Sequence, residues 1–135
     1  MSATHFLNVD LDIYSKRDLQ PLVKCFGRKV FALYIGREYG KFCVKLEVAK
    51  NVRTADAAMR TFCALIESLP KPERALWNAA TVRNFSIGIQ AGAHPNLCDF
   101  TIRPKTVEAV SRVGAQLVLT IYAPKTVGER KSVPK

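Results

Sequence analysis

Apolar and polar residues alternate along several stretches of the chain, a pattern typical of strands with one buried face. In residues 5–13 the apolar positions are Leu7, Val9, Leu11 and Ile13, and the polar positions between them are Asn8, Asp10 and Asp12. Further strands are predicted over residues 29–36, 42–48, 83–90, 100–103 and 115–123. Segments 29–36 and 115–123 are apolar at consecutive positions, which indicates interior strands covered on both faces.

Other segments repeat their apolar residues at helical spacing. The pattern predicts helices over residues 19–26, 54–69, 71–80 and 106–113. Thr54 is suited to cap the second helix, with Asp56 in its first turn, and Pro70 ends it. Gly27 and Gly114 stand where the first and last helices stop.

The elements follow the order β-α-β-β-α-α-β-β-α-β. Adjacent strands joined by short turns predict antiparallel pairing, and the apolar stripes of the helices predict packing on one face of the sheet. We therefore expect an α+β fold in two layers, with a mainly antiparallel sheet of five to six strands. Residues 1–123 form the single expected domain, and residues 124–135 form a basic tail that we expect to be disordered.

Composition agrees with an ordinary globular domain. The chain has 135 residues, of which 48% are hydrophobic and 24% charged. It has no apolar run of membrane-spanning length and no export signal, so a cytoplasmic protein with reduced cysteines is expected. No cysteine pair has the spacing of a metal or redox motif, and Cys25 and Cys63 fall in helical patterns as small core residues.

The formal net charge of +10 favours acidic partners. Residues 28–53, which include the predicted hairpin, carry a net charge of +5, and the tail carries +3. An acidic protein surface is one candidate partner. Nucleic acid, held by the hairpin and the tail, is the alternative.

Four residues are candidates for a polar or catalytic site. Asp10 and Asp12 lie on the same side of the first strand, where two carboxylates can share acid and base roles or hold a cation. The other interpretation is a solvated sheet face paired with Lys41 or Lys45. His94 and Cys98 share a glycine-containing loop, where an imidazole can activate a thiol. The His-x-x-x-Cys spacing of this loop could also seed a metal site, but no phosphate-binding loop is present, and neither cofactor nor metal is expected.

Six residues are candidates for contact with a partner: Arg37, Lys41, Lys45, Arg74, Trp77 and Arg83. The first three belong to the basic hairpin. Tryptophan and arginine are favoured as interface anchors. The alternative for Trp77 is a role in the core between helix and sheet.

Residues 76–78 (Leu-Trp-Asn) and 83–89 (Arg-Asn-Phe-Ser-Ile-Gly-Ile) resemble a pattern in small, uncharacterised bacterial proteins. Some of these resemble immunity proteins of polymorphic or contact-dependent toxin systems. The strands at residues 10–14 and 119–122 extend the resemblance over most of the chain. The resemblance implies a small cytoplasmic α+β protein that binds a protein partner and has no cofactor. Inhibitors of nucleases are often acidic, whereas this chain is basic, so its partner needs an acidic surface.

Three functions are therefore compared. The first is a non-enzymatic protein-binding module, immunity-like or homo-oligomeric. The second is a nucleic-acid-binding protein that uses residues 28–53 and the tail. The third is a small enzyme with its site among Asp10, Asp12, His94 and Cys98, which is the least supported because no complete catalytic constellation is visible.

Overall fold

Five strands and four helices follow one another in the computed structural model, which describes residues 2–124. They are β1 (His5–Ser15), α1 (Gln20–Phe26), β2 (Val30–Glu38), β3 (Lys41–Val48), α2 (Ala55–Glu67), α3 (Lys71–Ala79), β4 (Val82–Gln90), α4 (Pro104–Val113) and β5 (Gln116–Tyr122). A single 3-10 turn, Gly27–Lys29, joins α1 to β2. The predicted basic tail lies, apart from Pro124, outside the described residues.

The strands form one open sheet in the order β2-β3-β1-β4-β5. β1 pairs antiparallel with both β3 and β4, and β2 and β3 form an antiparallel hairpin. β4 and β5 pair in parallel, with α4 between them in the chain. The first four strands therefore have the connectivity of a split β-α-β unit, to which α4 and β5 add one more parallel strand. This confirms the predicted α+β fold and its mainly antiparallel sheet.

The core fills the space between the helices and one face of the sheet. Val9, Leu11 and Ile13 of β1 are buried there, in the alternate positions that the sequence pattern predicts. The Phe62 ring of α2 packs against the Phe85 ring of β4, with centroids 5.7 Å apart. The helix begins where predicted, because the Thr54 hydroxyl accepts a hydrogen bond from the Ala57 backbone N–H at 3.1 Å.

The strand predicted over residues 100–103 does not form. These residues run as irregular backbone into α4, which begins at Pro104 rather than at Thr106. The Arg103 backbone N–H donates to Asp56 Oδ1 at 2.9 Å instead of to a neighbouring strand. Pro104 has no N–H to offer to a sheet, which favours its position in the first turn of a helix.

β2 and β5 lie at the two edges of the sheet, so the prediction that they are interior strands is wrong. β1 is the central strand, because β3 and β4 both pair with it, and β2 and β5 are left at the edges. The helix α4 packs mainly against α2, so it does not cover β5. As a result the two edge strands leave large apolar side chains exposed. They are Phe31, Leu33 and Ile35 of β2 and Leu117, Leu119 and Ile121 of β5.

Candidate functional site

Along the three inner strands, β3, β1 and β4, the face of the sheet that is turned away from the helices is polar, whereas the edge strands bring Phe31 and Val118 to the same face. β1 contributes Asn8, Asp10, Asp12 and Tyr14, and the side chains beside them come from Cys43, Lys45 and Glu47 of β3 and Asn84 and Ser86 of β4. In the register, Asp10 lies between Glu47 and Ser86. Asp12 lies between Lys45 and Asn84. We call this surface the open face.

A hydrogen-bond network links the carboxylates at the centre of the open face. The Asn8 side-chain amide donates to Asp10 Oδ1 and to Glu47 Oε2, both at 3.0 Å. The Ser86 hydroxyl donates to Asp12 Oδ2 at 2.9 Å. The other oxygen of Asp12, Oδ1, is buried and has no hydrogen-bond partner among the described residues. The neighbours thus orient these carboxylates without neutralising them.

With the end of β2 and the start of β3 included, the open face carries two lysines and four carboxylates, namely Lys41, Lys45, Asp10, Asp12, Glu38 and Glu47. Its formal charge is therefore −2, although the whole chain carries +10. The Lys45 ammonium lies 3.8 Å from Glu38 Oε2, and Glu38 Oε1 accepts a hydrogen bond from the Tyr14 hydroxyl at 2.9 Å. Lys45 is thus already engaged at one side of the cluster.

Burial and like charges disturb the titration of this cluster. Burial raises the pKa of Asp10 to about 6, and the nearby charges of Asp12 and Glu47 add to the effect, while Lys45 opposes it. Burial likewise raises the pKa of Asp12, against the hydrogen bond from Ser86 and the charge of Lys45. Both carboxylates would be stabilised in their charged form by an additional cation.

The four predicted polar-site residues do not come together. Asp10 and Asp12 lie in the middle of β1, whereas the loop with His94 and Cys98 lies beside the start of that strand. There the Thr4 backbone N–H donates to the His94 carbonyl at 2.9 Å, and the Cys98 sulfur lies 3.9 Å from the Thr4 carbonyl. The six residue steps from Thr4 to Asp10 span roughly 20 Å in a strand. Within residues 2–124, no group of three or more histidine, cysteine or acidic side chains has an arrangement that could hold a metal.

All four cysteines are free thiols. Cys43 and Cys63 are buried, and burial raises the pKa of the Cys63 thiol to about 11, which keeps it protonated and unreactive. Cys25 is exposed on α1, so its predicted place in the core is wrong. The apolar side of this seven-residue helix is narrow, and Leu22 and Phe26 already fill it.

Trp77 has a structural role and is not available to a partner. Its side chain is fully buried, and its indole N–H donates to the Val113 carbonyl at 2.8 Å, which ties α3 to the end of α4. Its selection as a contact residue is therefore wrong. The alternative prediction, a place in the core between helix and sheet, agrees with the structure.

Arg83 and Arg74 bind backbone carbonyls at helix ends. Arg83 Nη1 donates to the carbonyls of Trp77, Asn78 and Ala80 at 3.0–3.2 Å, and its Nε donates to the Gly114 carbonyl at 2.9 Å. Arg74 Nη1 lies 3.4 Å from the Ile66 carbonyl, near the end of α2. Both guanidiniums thus add donors to carbonyls at the ends of helices, two of which, those of Ile66 and Trp77, also accept a backbone N–H.

The basic residues of the β2–β3 hairpin do not share one surface. Arg37 lies on the helix side of the sheet with its guanidinium 4.4 Å from the centre of the Phe42 ring. Lys41 and Lys45 point to the open face, among the carboxylates. The expected concentration of positive charge on this hairpin is therefore divided between two faces.

A cleft of about 830 Å³ lies beside the first turn of α2. Its charged lining consists of Arg53, Arg60, Arg103, Asp56 and Asp99. Arg60 pairs with Asp56 at 3.5 Å. Burial alone would raise the pKa of Asp56, but the Arg103 N–H and the charges of Arg60 and Arg103 lower it overall. Because both signs of charge line the cleft, it is not a dedicated anion pocket.

The sequence analysis selected Asp10, Asp12 and Lys45 but did not select Asn8, Glu47 and Ser86. Asn8 and Ser86 donate hydrogen bonds to the two aspartates, and Glu47 lies opposite Asp10 on the neighbouring strand. Those three residues stand at polar positions of alternating strands, so the signal was present, but it needed the strand order and register to be interpreted.

None of the helices between residues 2 and 124 is both long and apolar enough to cross a bilayer. Neither a family model, nor a curated protein, nor a solved structure matches the chain.

Proposed function

We propose that this chain is a non-enzymatic protein-binding module, and that the open face docks a partner which presents lysine or arginine side chains. The observation that carries the proposal is the cluster of Asp10, Asp12 and Glu47 on a face of net charge −2, in a chain of net charge +10. The partner we now favour is cationic at the contact. An acidic partner suits the total charge of the chain, but not this face.

A cationic side chain fits the cluster for a physical reason. The hydrogen bonds from Asn8 and Ser86 come from neutral groups, so they fix the carboxylates but do not compensate their charge, which Lys45 offsets only in part. An ammonium or guanidinium placed above Asp10 and Glu47 would relieve their mutual repulsion. Bonds between charged donors and acceptors are also stronger and more directional than neutral ones. Such pairs would contribute specificity and a fast association rate.

The charge of this face also removes a difficulty in the resemblance to immunity proteins. An immunity protein that blocks a nuclease must contact a cationic substrate cleft, which a basic chain is poorly suited to do. The open face provides a local negative surface whatever the total charge is. We therefore propose an immunity-like role, in which the carboxylates of the open face occupy the cationic surface of a toxin domain.

The two other functions have less support. Phosphates of a nucleic acid would be repelled by the open face, and the hairpin cations that were expected to hold them point to different sides. A small enzyme was expected to have its site among Asp10, Asp12, His94 and Cys98, and because the two pairs lie roughly 20 Å apart, these four residues do not form one shared site. Nucleic-acid binding remains the alternative that experiment has to separate from protein binding.

The test uses isosteric substitutions that remove charge and keep the hydrogen-bond acceptors. The double variant Asp10→Asn with Glu47→Gln alters the open face. The matched control, Asp99→Asn with Glu108→Gln, removes the same charge from exposed positions outside the sheet. Each purified chain is immobilised and exposed to lysate of the organism that encodes it, with and without nuclease, and bound proteins are quantified by mass spectrometry.

We expect one or more proteins to bind the wild-type chain and the control equally, with at least tenfold lower recovery on the open-face variant. Equal recovery on both variants would overturn the proposed surface. Recovery that disappears after nuclease treatment, together with saturable binding of oligonucleotides at low salt, would establish the nucleic-acid alternative instead. Recovery of no protein at all would also refute the proposal.

A further inference from the structure

The outer edge of β5 is an unpaired strand edge without charge. Its inner edge pairs with β4, and among the described residues no strand pairs with the outer edge. Leu117, Leu119 and Ile121, on the side of the sheet where the helices lie, are 43%, 64% and 66% exposed. No acidic or basic residue occurs between Val113 and Pro124. Natural proteins usually protect such an edge with charges, bulges or proline.

The other edge of the same sheet is protected in this way. β2 is interrupted by a bulge at Leu33, where its register with β3 shifts. It ends in Arg37 and Glu38, and two more cations, Arg28 and Lys29, immediately precede it. The chain therefore has these devices both within and beside β2, whereas β5 itself has none of them, and the nearest are Pro124 and Lys125 just beyond its end. This contrast indicates that the edge of β5 is kept free for a partner strand.

We infer that two copies of this chain associate through β5, antiparallel and around a two-fold axis at Leu119, so that two five-stranded sheets become one of ten strands. In this arrangement Leu117 of each copy lies opposite Ile121 of the other, and the two Leu119 side chains face each other. All of these side chains are on the helix side, where they would cover one another.

A second copy is the occupant that the composition of the edge favours. Each chain carries +10, so two copies repel each other overall, but the β5 edge brings no like charges together and presents the same exposed apolar side chains from both copies. A two-fold contact also closes on itself. Pairing of β5 with β2 of another copy would be open-ended, and it would meet the bulge at Leu33 and the charges around it. In such a dimer β5 has a paired strand on each side, which would account for the consecutive apolar residues that predicted an interior strand at residues 115–123.

This inference does not depend on the proposed function, because it concerns the edge of the sheet and not its open face. The test is the mass of the full chain in solution, measured by sedimentation equilibrium over a hundredfold range of concentration. The monomer has a mass of 15.0 kDa. We expect wild type to approach twice that mass at high concentration.

Leu119→Lys places two ammonium groups at the proposed axis, and we expect it to weaken the dimer at least 100-fold. The matched control Leu33→Lys makes the same change at an exposed position of β2, and we expect it to leave the dimer intact. Ile121→Lys serves as a second variant should Leu119→Lys fail to show native circular dichroism. If wild type is a monomer at every concentration, the inference is overturned, and the edge is then covered by another part of the chain or by a different protein. The inference is also overturned if Leu33→Lys disrupts the dimer and the substitutions in β5 leave it intact.

Discussion

Replacing Asp10 with asparagine should stabilise the protein at neutral pH, although it deletes a charge from the candidate site. The pKa of Asp10 is raised from its ordinary value of 3.8 to about 6, first by burial and then by the charges of Asp12 and Glu47. A difference of that size corresponds to roughly 3 kcal/mol at 1.36 kcal/mol per pKa unit. Because Asp10 is only partly buried, solvent screening reduces this to about 1 kcal/mol. Asparagine keeps the oxygen that accepts the Asn8 hydrogen bond.

The sign of the pH dependence follows from proton binding. Between pH 4 and 6 the folded protein holds the Asp10 proton more tightly than the unfolded chain, so the free energy of unfolding falls as the pH rises through this window. Asp10→Asn should therefore match wild type at pH 4 and exceed it by about 1 kcal/mol at pH 8. Urea denaturation of both proteins at fixed ionic strength measures this difference, with Asp99→Asn in an exposed loop as the control. A destabilised Asp10→Asn protein at pH 8, or an unchanged slope between pH 4 and 6, would refute the reasoning.

Two structural contacts allow further predictions. Arg83→Lys should destabilise the protein by about 2 kcal/mol, because a single ammonium cannot replace a guanidinium that binds four carbonyls at the ends of α3 and α4. Thermal unfolding should show a melting temperature lower by roughly 8 °C, whereas the exposed Arg17→Lys should leave it unchanged; equal melting temperatures would contradict the assigned role of Arg83. Thr54→Ala should cost about 1 kcal/mol in urea denaturation through loss of the cap on Ala57, and Thr54→Ser should restore most of it. A serine variant as unstable as the alanine variant would show that the hydroxyl is not the stabilising group.

The fold could be predicted from the sequence wherever one period dominated a segment. Alternation identified the buried and the polar side of β1 from Asn8 to Ile13, because the two sides of a strand are fixed by a period of two. Leu7, predicted on the buried side, is 44% exposed, because the register with β4 shifts between Phe6 and Asn8. The order of the strands could not be predicted, because it depends on contacts between segments far apart in the chain. For that reason two consecutive apolar runs were assigned to interior strands, although β2 and β5 lie at the edges.

The same limit explains the errors in the candidate site. Tryptophan and arginine are common in interfaces and also in cores, and composition does not distinguish the two uses. Trp77 and Arg83 join α3 to the turn after α4, more than 30 residues further along the chain. Asp10 and Asp12, by contrast, were correctly placed side by side, because two residues on the same strand need no tertiary information.

The net charge of the chain and the charge of the open face have opposite signs, for a reason that lies in the sheet. Pairing in register places Glu47 beside Asp10, so carboxylates that are 37 residues apart in sequence form one negative surface. Their neighbour Lys45 is engaged by Glu38, and the remaining cations of the hairpin lie at its ends or on the helix side. A partner within a few ångströms responds to these local charges, because the Debye length of about 8 Å at physiological salt screens the more distant ones. A partner that docks on the open face, as we propose, would therefore meet a charge opposite in sign to that of the whole chain.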